Sequence, residues 1–315
     1  MKPKLVVNKE DILHNYGTLG MSEMLTYLIE SNLFDISYHD DRIKVLRGER
    51  ATILYYNDKK INLDFWEYKS PTYTDRIYDA NFDLIIKLQH KSTLTHKTFQ
   101  KTSKRKNIFV GKSEEEKNTF LDKVVPWTFF ASRMIKSFIG KEDEVEQKPI
   151  ERLGFFCGKK WKSRKKMYDK FEEEDIEFFV SDQGLRFGKK IKTEEYLHKM
   201  LTSQYGIVLK GRGSHCTEAK NRREIDYMIL KKPLLLNYRP TYYIPLIENK
   251  HYIFVDENTN FGIIEKEHDI NQIARNAFEW YKQCATPLGA AQVFKQIMID
   301  RFKKQGEDDD SKTHS

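Results

Sequence analysis

The sequence predicts an α/β protein of two domains, the second of them built on a doubly wound parallel sheet. Three observations lead there. From Arg152 onwards, short apolar runs alternate with amphipathic segments, the rhythm of parallel strands joined by crossover helices. Before residue 90 the apolar runs are separated instead by short turn-rich segments, Arg47-Gly48-Glu49-Arg50 and Asn57-Asp58-Lys59-Lys60, which reads as a meander of hairpins. Between the two patterns lies Lys141–Pro149, charged, nearly free of apolar residues and closed by proline. That is the composition of a linker. It places the boundary between a domain over 1–145 and a domain over 146–304, whose last helix can pack back on the first domain, with 305–315 as a disordered tail.

Each element follows from a local pattern. Met21, Met24, Leu25, Leu28 and Ile29 recur at helical spacing behind Gly20 and Ser22, which predicts a helix over about 21–32. Strands are expected at 43–46, 51–56 and 61–66, then at 82–88, where the apolar residues bunch as in a buried sheet. A loop rich in Pro, Thr and Tyr fills 67–81, and 91–106 is polar and basic without periodicity. A second apolar block, Val124–Phe130, leads into a helix-like stretch ending near Gly140. In the second half, strands are expected at 152–157, 176–180, 206–209, 234–237 and 252–255. The helices between them fall at 163–173, 193–201 and 217–231, with two more from Asp269 and from about Leu288. Thr193 followed by Glu194-Glu195 suits a helix N-terminus.

Composition narrows the class. Of 315 residues, 39% are hydrophobic and 13% aromatic, more than a disordered chain carries. With 32% charged residues and a mean hydropathy of −0.70, the surface is strongly solvated. No run approaches the roughly 18 apolar residues of a spanning helix, and the first 20 residues lack the apolar core of a secretory signal. Cys157, Cys216 and Cys284 are odd in number and without C-x-x-C spacing, so reduced thiols are expected rather than a disulfide framework or zinc site. The formal charge of +8 is gathered in Lys101–Lys106 and Lys159–Lys166. Such clusters bind phosphate, whether polymer or nucleotide, or serve only as solvated faces.

Ligands of open parallel sheets lie beyond the carboxyl ends of the strands, where helix N-termini offer N–H groups to anions. After the first strand of the second half stand Gly158, Lys159 and Arg164. One cation about 4 Å from one phosphate charge contributes about 4 kcal/mol at an effective dielectric near 20, before desolvation. After the third strand come Lys210-Gly211-Arg212-Gly213-Ser214-His215 and then Asn221-Arg222-Arg223-Glu224-Ile225-Asp226. The two glycines flanking Arg212 suit a close backbone approach, but the Lys-Ser/Thr ending of a P-loop is missing. Glu224 borders the packed face of its helix. There it can accept hydrogen bonds from ribose hydroxyls, or form a salt bridge with Lys220, Lys231 or a neighbouring arginine.

The run Tyr205–Gly213, continued by Asn221–Leu234, resembles the donor half of GT-B glycosyltransferases of the exostosin-like and capsule- or lipopolysaccharide-modifying type. Lys250–Val255, Asn276–Tyr281 and the helix after Pro287 resemble the following strand and closing helices of that group. In the first half, Asp64–Glu67, Leu88-Gln89 and Pro126–Met134 are similar to small enzymes of this type in large DNA viruses of algae, a group that includes a candidate xylosyltransferase. The resemblance implies a GT-B fold: two Rossmann-like α/β domains facing a cleft, with a nucleotide-sugar donor on the second and a glycan or glycoprotein acceptor on the first. It implies a diphosphate near Gly158, Lys159, Arg164 and Arg212, with Arg222 or Arg223 approaching the phosphates from the helix start, a ribose at Glu224, and Gly213 and Ser214 among the donor-binding residues. Many eukaryotic members carry an N-terminal membrane anchor. None is recognisable here, which favours a cytoplasmic enzyme, in the host cytoplasm if the protein is viral.

A sugar leaving a nucleotide diphosphate deposits negative charge that must be stabilised where it develops. No D-x-D triplet closes a strand, since Asp308-Asp309-Asp310 lies in the tail. Cations and a helix N-terminus are therefore expected in place of a metal, with no cofactor beyond the donor itself. Inversion needs a carboxylate base on the acceptor side, a group worth roughly 10²–10⁴ in rate. Asp75 is favoured, with Glu67 and Asp64 next. Trp66, Tyr68, Tyr73 and His90 are the candidate acceptor contacts. The donor is expected to be UDP-linked, with xylose the sugar suggested by the viral resemblance. The alternatives are a basic nucleic-acid-binding protein, or a GT-B-like binding module that has lost catalysis.

Overall fold

A computed structural model of the chain describes residues 2–8, 19–39, 51–64, 82–87, 111–128, 131, 135–159, 164–174, 176–181, 191–210, 218–219 and 222–302. The strand expected at 43–46 and the loop 67–81 lie outside these residues. Two compact units divide the chain. The first comprises Met1–Thr128, Tyr242–Ile244 and the C-terminal segment from Pro287; the second comprises Phe129–Thr241 and Pro245–Thr286.

The first unit holds a mixed sheet of β1 (Lys4–Asn8), β2 (Asp35–His39), β3 (Ala51–Tyr56), β4 (Lys59–Asp64), β5 (Leu84–Lys87) and β6 (Val124–Pro126), in the order β2-β1-β3-β4-β5-β6. β3 runs antiparallel to both its neighbours, and the other pairs are parallel. β3 and β4 form the expected hairpin around Asn57-Asp58, with Asn57 in the left-handed region at φ 54°, a conformation Asn tolerates and two-residue hairpin loops require. Asn57 also fastens β1: its N–H donates to Lys4 O at 2.8 Å, and its Oδ1 accepts from Lys4 N at 3.0 Å. The sequence reading missed β1 and β2. Each is five residues long, and they owe their conformation to one another and to β3.

α1 (Leu19–Glu30) packs against the C-terminal helix α8 (Pro287–Phe302) within this unit. Met24, Leu25 and Leu28 of α1 are fully buried, as are Ala290, Ala291, Phe294, Ile297 and Met298 of α8. Trp127 joins them: its Nε1 donates to Ala290 O at 3.0 Å, and its ring lies 5.3 Å from that of Phe294. Between β5 and β6 runs α2 (Glu114–Asp122). It starts on a capping box in which Glu116 N donates to Ser113 Oγ at 3.1 Å and Ser113 N donates to Glu116 Oε2 at 2.7 Å, pairing two otherwise orphaned helix donors.

The second unit holds an all-parallel sheet of β7 (Arg152–Lys159), β8 (Glu177–Ser181), β9 (Ser203–Val208), β11 (Leu234–Leu236) and β13 (Ile253–Phe254). Its order is β13-β11-β9-β7-β8. α3 (Lys165–Glu173), α4 (Thr193–Leu201) and α5 (Arg222–Ile229) are the crossovers, and α6 (Ile264–Glu267) and α7 (Ile270–Cys284) follow. Because side chains alternate along a strand, adjacent phenylalanines of β7 serve opposite faces. Phe156 packs with Met167 and Phe171 of α3, while Phe155 meets Tyr196 of α4 with ring centroids 5.9 Å apart. Helices thus cover both faces, as parallel sheets require.

On the second face Tyr227 of α5 lies directly on Gly206 of β9. A Cβ at Gly206 would come within 2.4 Å of Tyr227 Cγ. The buried Tyr227 hydroxyl donates to Phe155 O at 2.6 Å. The helix expected over 217–231 is shorter than that. Glu218-Ala219 is a strand, β10, which pairs with β12 (Arg239–Pro240), and α5 starts at Arg222. The charged stretch 141–149 is attached to this unit. Glu142 Oε1 accepts from Tyr281 Oη at 2.7 Å, and Gln147 Nε2 donates to Leu230 O at 3.4 Å.

Candidate functional site

The strand order of the second unit singles out one edge of the sheet. From β7 the chain passes to β8 on one side, then returns past β7 to β9, β11 and β13 on the other. Numbered from β7, that is the doubly wound order 2-1-3-4-5, whose reversal falls between β7 and β9. Ligands of such sheets bind beyond the carboxyl ends of the strands at the reversal, where neighbouring loops diverge. Here those ends are Cys157-Gly158-Lys159 and Val208-Leu209-Lys210.

Arg164, one residue before α3, is buried at 4% exposure. Its guanidinium spans the end of β9: Nε donates to Lys210 O at 2.7 Å and Nη2 to Leu209 O at 3.0 Å. Its Cζ stands 5.1 Å from the centroid of the Phe156 ring. Gly158 makes room for this packing, since a Cβ there would lie 2.6 Å from Phe156 Cζ and 3.0 Å from Arg164 Nη1. Lys159 closes β7, its backbone opposite Ser181 of β8. The next strand end is tied in as well, because Lys210 N donates to Asn237 Oδ1, just after β11, at 2.6 Å.

α5 opens on Arg222 and Arg223, both half-buried. Arg223 is hydrogen-bonded to Tyr196 and close to Cys157 and Asp226. Burial works against its charge, and Tyr196, Cys157 and Asp226 outweigh that, leaving its pKa raised. Desolvation pushes the Cys157 thiol up, with the Arg223 charge pulling the other way. The Tyr196 and Tyr227 phenols are raised, first by burial. All three therefore stay neutral at physiological pH beside the guanidinium. Glu224, the next residue, is fully buried, and its Oε1 accepts a hydrogen bond from the Tyr238 hydroxyl.

The edge thus brings together Gly158, Lys159, Arg164, Arg222, Arg223 and Glu224. Arg212, Gly213 and Ser214 lie outside the described residues, as do Trp66, Glu67, Tyr68, Tyr73, Asp75 and His90. Asp64 ends β4, its backbone paired with Ala51 and Lys87. Of the two uses open to Glu224, the carboxylate is engaged by a phenol from the next strand end, a partner not among those considered. Asn237, Tyr238 and Tyr196 went unnoticed in the sequence. The first two directly follow a strand, so a search after every strand finds them; Tyr196 sits inside a helix and carries no local signal. Chemically, the edge offers an anion two helix-terminal arginines and a glycine-lined strand end.

Among the described residues no helix is long and apolar enough to cross a membrane. No family model matches the chain, and no curated protein does. Among solved structures, the chain is similar to Anabaena HepE (Alr3699) in complex with UDP-glucose, at 8% identity over 76% of this chain and 72% of that one, with a TM-score of 0.38. The same protein in complex with UDP aligns at 10% identity with the same coverage and score. AviGT4, a glycosyltransferase involved in avilamycin A biosynthesis, aligns at 8% identity over 90% of this chain and 87% of that one, with a TM-score of 0.37. With TM-scores below 0.5, these likenesses are distant.

Proposed function

We propose that the protein is a GT-B glycosyltransferase that moves a sugar from a nucleotide-diphosphate donor to a glycan hydroxyl. The observation that carries this reading is the reversal between β7 and β9, with Gly158 at one strand end and the Arg222-Arg223 start of α5 beside it. An anion-receptive edge on a doubly wound sheet suits a nucleotide diphosphate. The resemblance of Tyr205–Gly213 and Asn221–Leu234 to a donor half supplies the sugar. In this proposal Arg212, Arg222 and Arg223, with the α5 terminus, stabilise the diphosphate as charge develops on it, without a metal. A carboxylate of the first half, Asp75 before Glu67 and Asp64, deprotonates the acceptor and inverts the anomeric centre.

Two measurements test it. Thermal shift with UDP, GDP and an oligonucleotide should give stabilisation by a nucleoside diphosphate alone. Stabilisation by the oligonucleotide alone, falling steeply with salt, would instead make the protein a nucleic-acid binder. Nucleotide release from UDP-xylose, UDP-glucose, UDP-galactose and a GDP-sugar, with and without EDTA, then identifies the donor and tests metal independence. Turnover that survives Asp75→Ala, Glu67→Ala and Asp64→Ala would refute the base assignment.

A further inference from the structure

We propose that Arg164 is a positioning residue that locks the carboxyl end of β9 to that of β7, shaping the backbone a nucleotide diphosphate meets, and does not itself ligate the phosphates. The inference rests on the proposed donor site and departs from it in the role of this one cation. β9 ends at Val208, so the carbonyls of Leu209 and Lys210 stand where the ladder gives out. Arg164 takes both, at 3.0 and 2.7 Å. A planar guanidinium fork suits two neighbouring acceptors, and an ammonium does not reproduce it.

The group is also held from β7. The Phe156 ring lies 5.1 Å from its Cζ, and Gly158 leaves the space that Nη1 borders. A side chain only 4% exposed, directed at two carbonyls and packed on a ring, is built into the protein. The same lock sets the Lys210 peptide, whose N–H is fixed on Asn237 Oδ1 at 2.6 Å. Arg164 thereby joins the ends of β7 and β9, and the Lys210–Asn237 bond ties in the end of β11. In the sequence, Arg212 follows that fixed peptide by two residues.

The test compares Arg164→Lys and Arg164→Gln with the full-length wild type. UDP and GDP binding is measured by calorimetry at several salt concentrations, alongside melting temperature and amide hydrogen exchange over 207–210. For the positioning role, both substitutions weaken nucleotide binding similarly, by about tenfold or more, a loss of about 1.4 kcal/mol or more. The salt dependence stays that of the wild type, because no charge contact with the phosphates is lost, and the Lys210 amide exchanges faster. Near-wild-type binding by Arg164→Lys, with weak binding and a shallower salt dependence in Arg164→Gln, would make Arg164 a phosphate ligand and overturn the proposal. Unchanged affinity well below a lowered melting temperature would reduce it to a structural residue and overturn it equally. If the substitutions unfold the protein, Gly158→Ala presses on Arg164 and Phe156 from the other side and should weaken binding in the same way. If the wild type binds neither nucleotide, the donor site itself fails, and Lys210 exchange alone decides whether the lock exists.

Discussion

Gly206→Ala is the most direct perturbation of the second unit's core. The added methyl would sit 2.4 Å from Cγ, 2.6 Å from Cδ1 and 2.8 Å from Cβ of Tyr227. None of these is the loose end of a flexible chain. Tyr227 is 1% exposed, and its hydroxyl is anchored on Phe155 O at 2.6 Å. Overpacking a tight core costs about 1–3 kcal/mol. Displacing the ring far enough to leave the buried phenol unpaired adds about 1–3 kcal/mol, so the expected loss is roughly 2–6 kcal/mol. For a domain of 150–250 residues, one kcal/mol moves the midpoint by about 2–4 °C, so the melting temperature should fall by at least about 4 °C, read by far-UV circular dichroism or calorimetry. A double-mutant cycle locates the cause: in a Tyr227→Ala background the ring contacts at 2.4 and 2.6 Å are gone and only the 2.8 Å approach to Cβ remains, so Gly206→Ala should cost clearly less there than in the wild type. A Gly206→Ala protein within about 0.5 kcal/mol of wild type, the usual scale for a neutral surface change, would show that Tyr227 does not lie on this glycine.

Two further perturbations follow from buried polar groups. Asn62 of β4 is 4% exposed, and its buried Oδ1 has no hydrogen-bond partner among the described residues. Asn62→Leu should therefore raise stability by about 1 kcal/mol, and a lower denaturant midpoint would contradict this. His251 is 6% exposed and accepts at Nδ1 from Ile247 N at 2.8 Å; burial first, then the Lys250 charge, lowers its pKa to about 4. The unfolded chain, with an ordinary histidine, takes up its proton at higher pH than the folded one. Stability contributed by the neutral ring is thus full above pH ~6.5 and drains as pH falls towards about 4, by at most about 3 kcal/mol. His251→Asn, which keeps an acceptor for Ile247 N, should flatten urea midpoints over pH 4–7; an unchanged slope would refute the assignment.

Local chemistry was legible where it is decided locally. α4 occupies the predicted 193–201, because Glu194-Glu195 and a clean apolar stripe suffice to place a helix. α7 starts behind Asp269, whose side chain accepts from Gln272 N at 2.9 Å. The β3–β4 hairpin follows from Asn57-Asp58. The start of α2 was equally readable, since Ser113 and Glu116 spell a capping box, and was passed over. α5 was misjudged at its N-terminal end because Glu218-Ala219 pairs with Arg239-Pro240 some 20 residues on, a contact no window along the chain contains.

By itself the sequence determined the alternation of strands and helices in the second half, the hairpin in the first, and which residues stand just after each strand. Those depend on periodicity, caps and turn residues, all settled within a few positions. Tertiary structure alone decided the strand order that puts the reversal between β7 and β9, because ladder register is a property of pairs of distant segments. It also decided how the charged residues at that edge are used. Arg164 finds two carbonyls 45 and 46 residues away, and Glu224 meets a phenol 14 residues on. A cation or carboxylate in the sequence is only a capacity for an interaction; its partner is chosen by whichever donor or acceptor the fold delivers within about 3 Å.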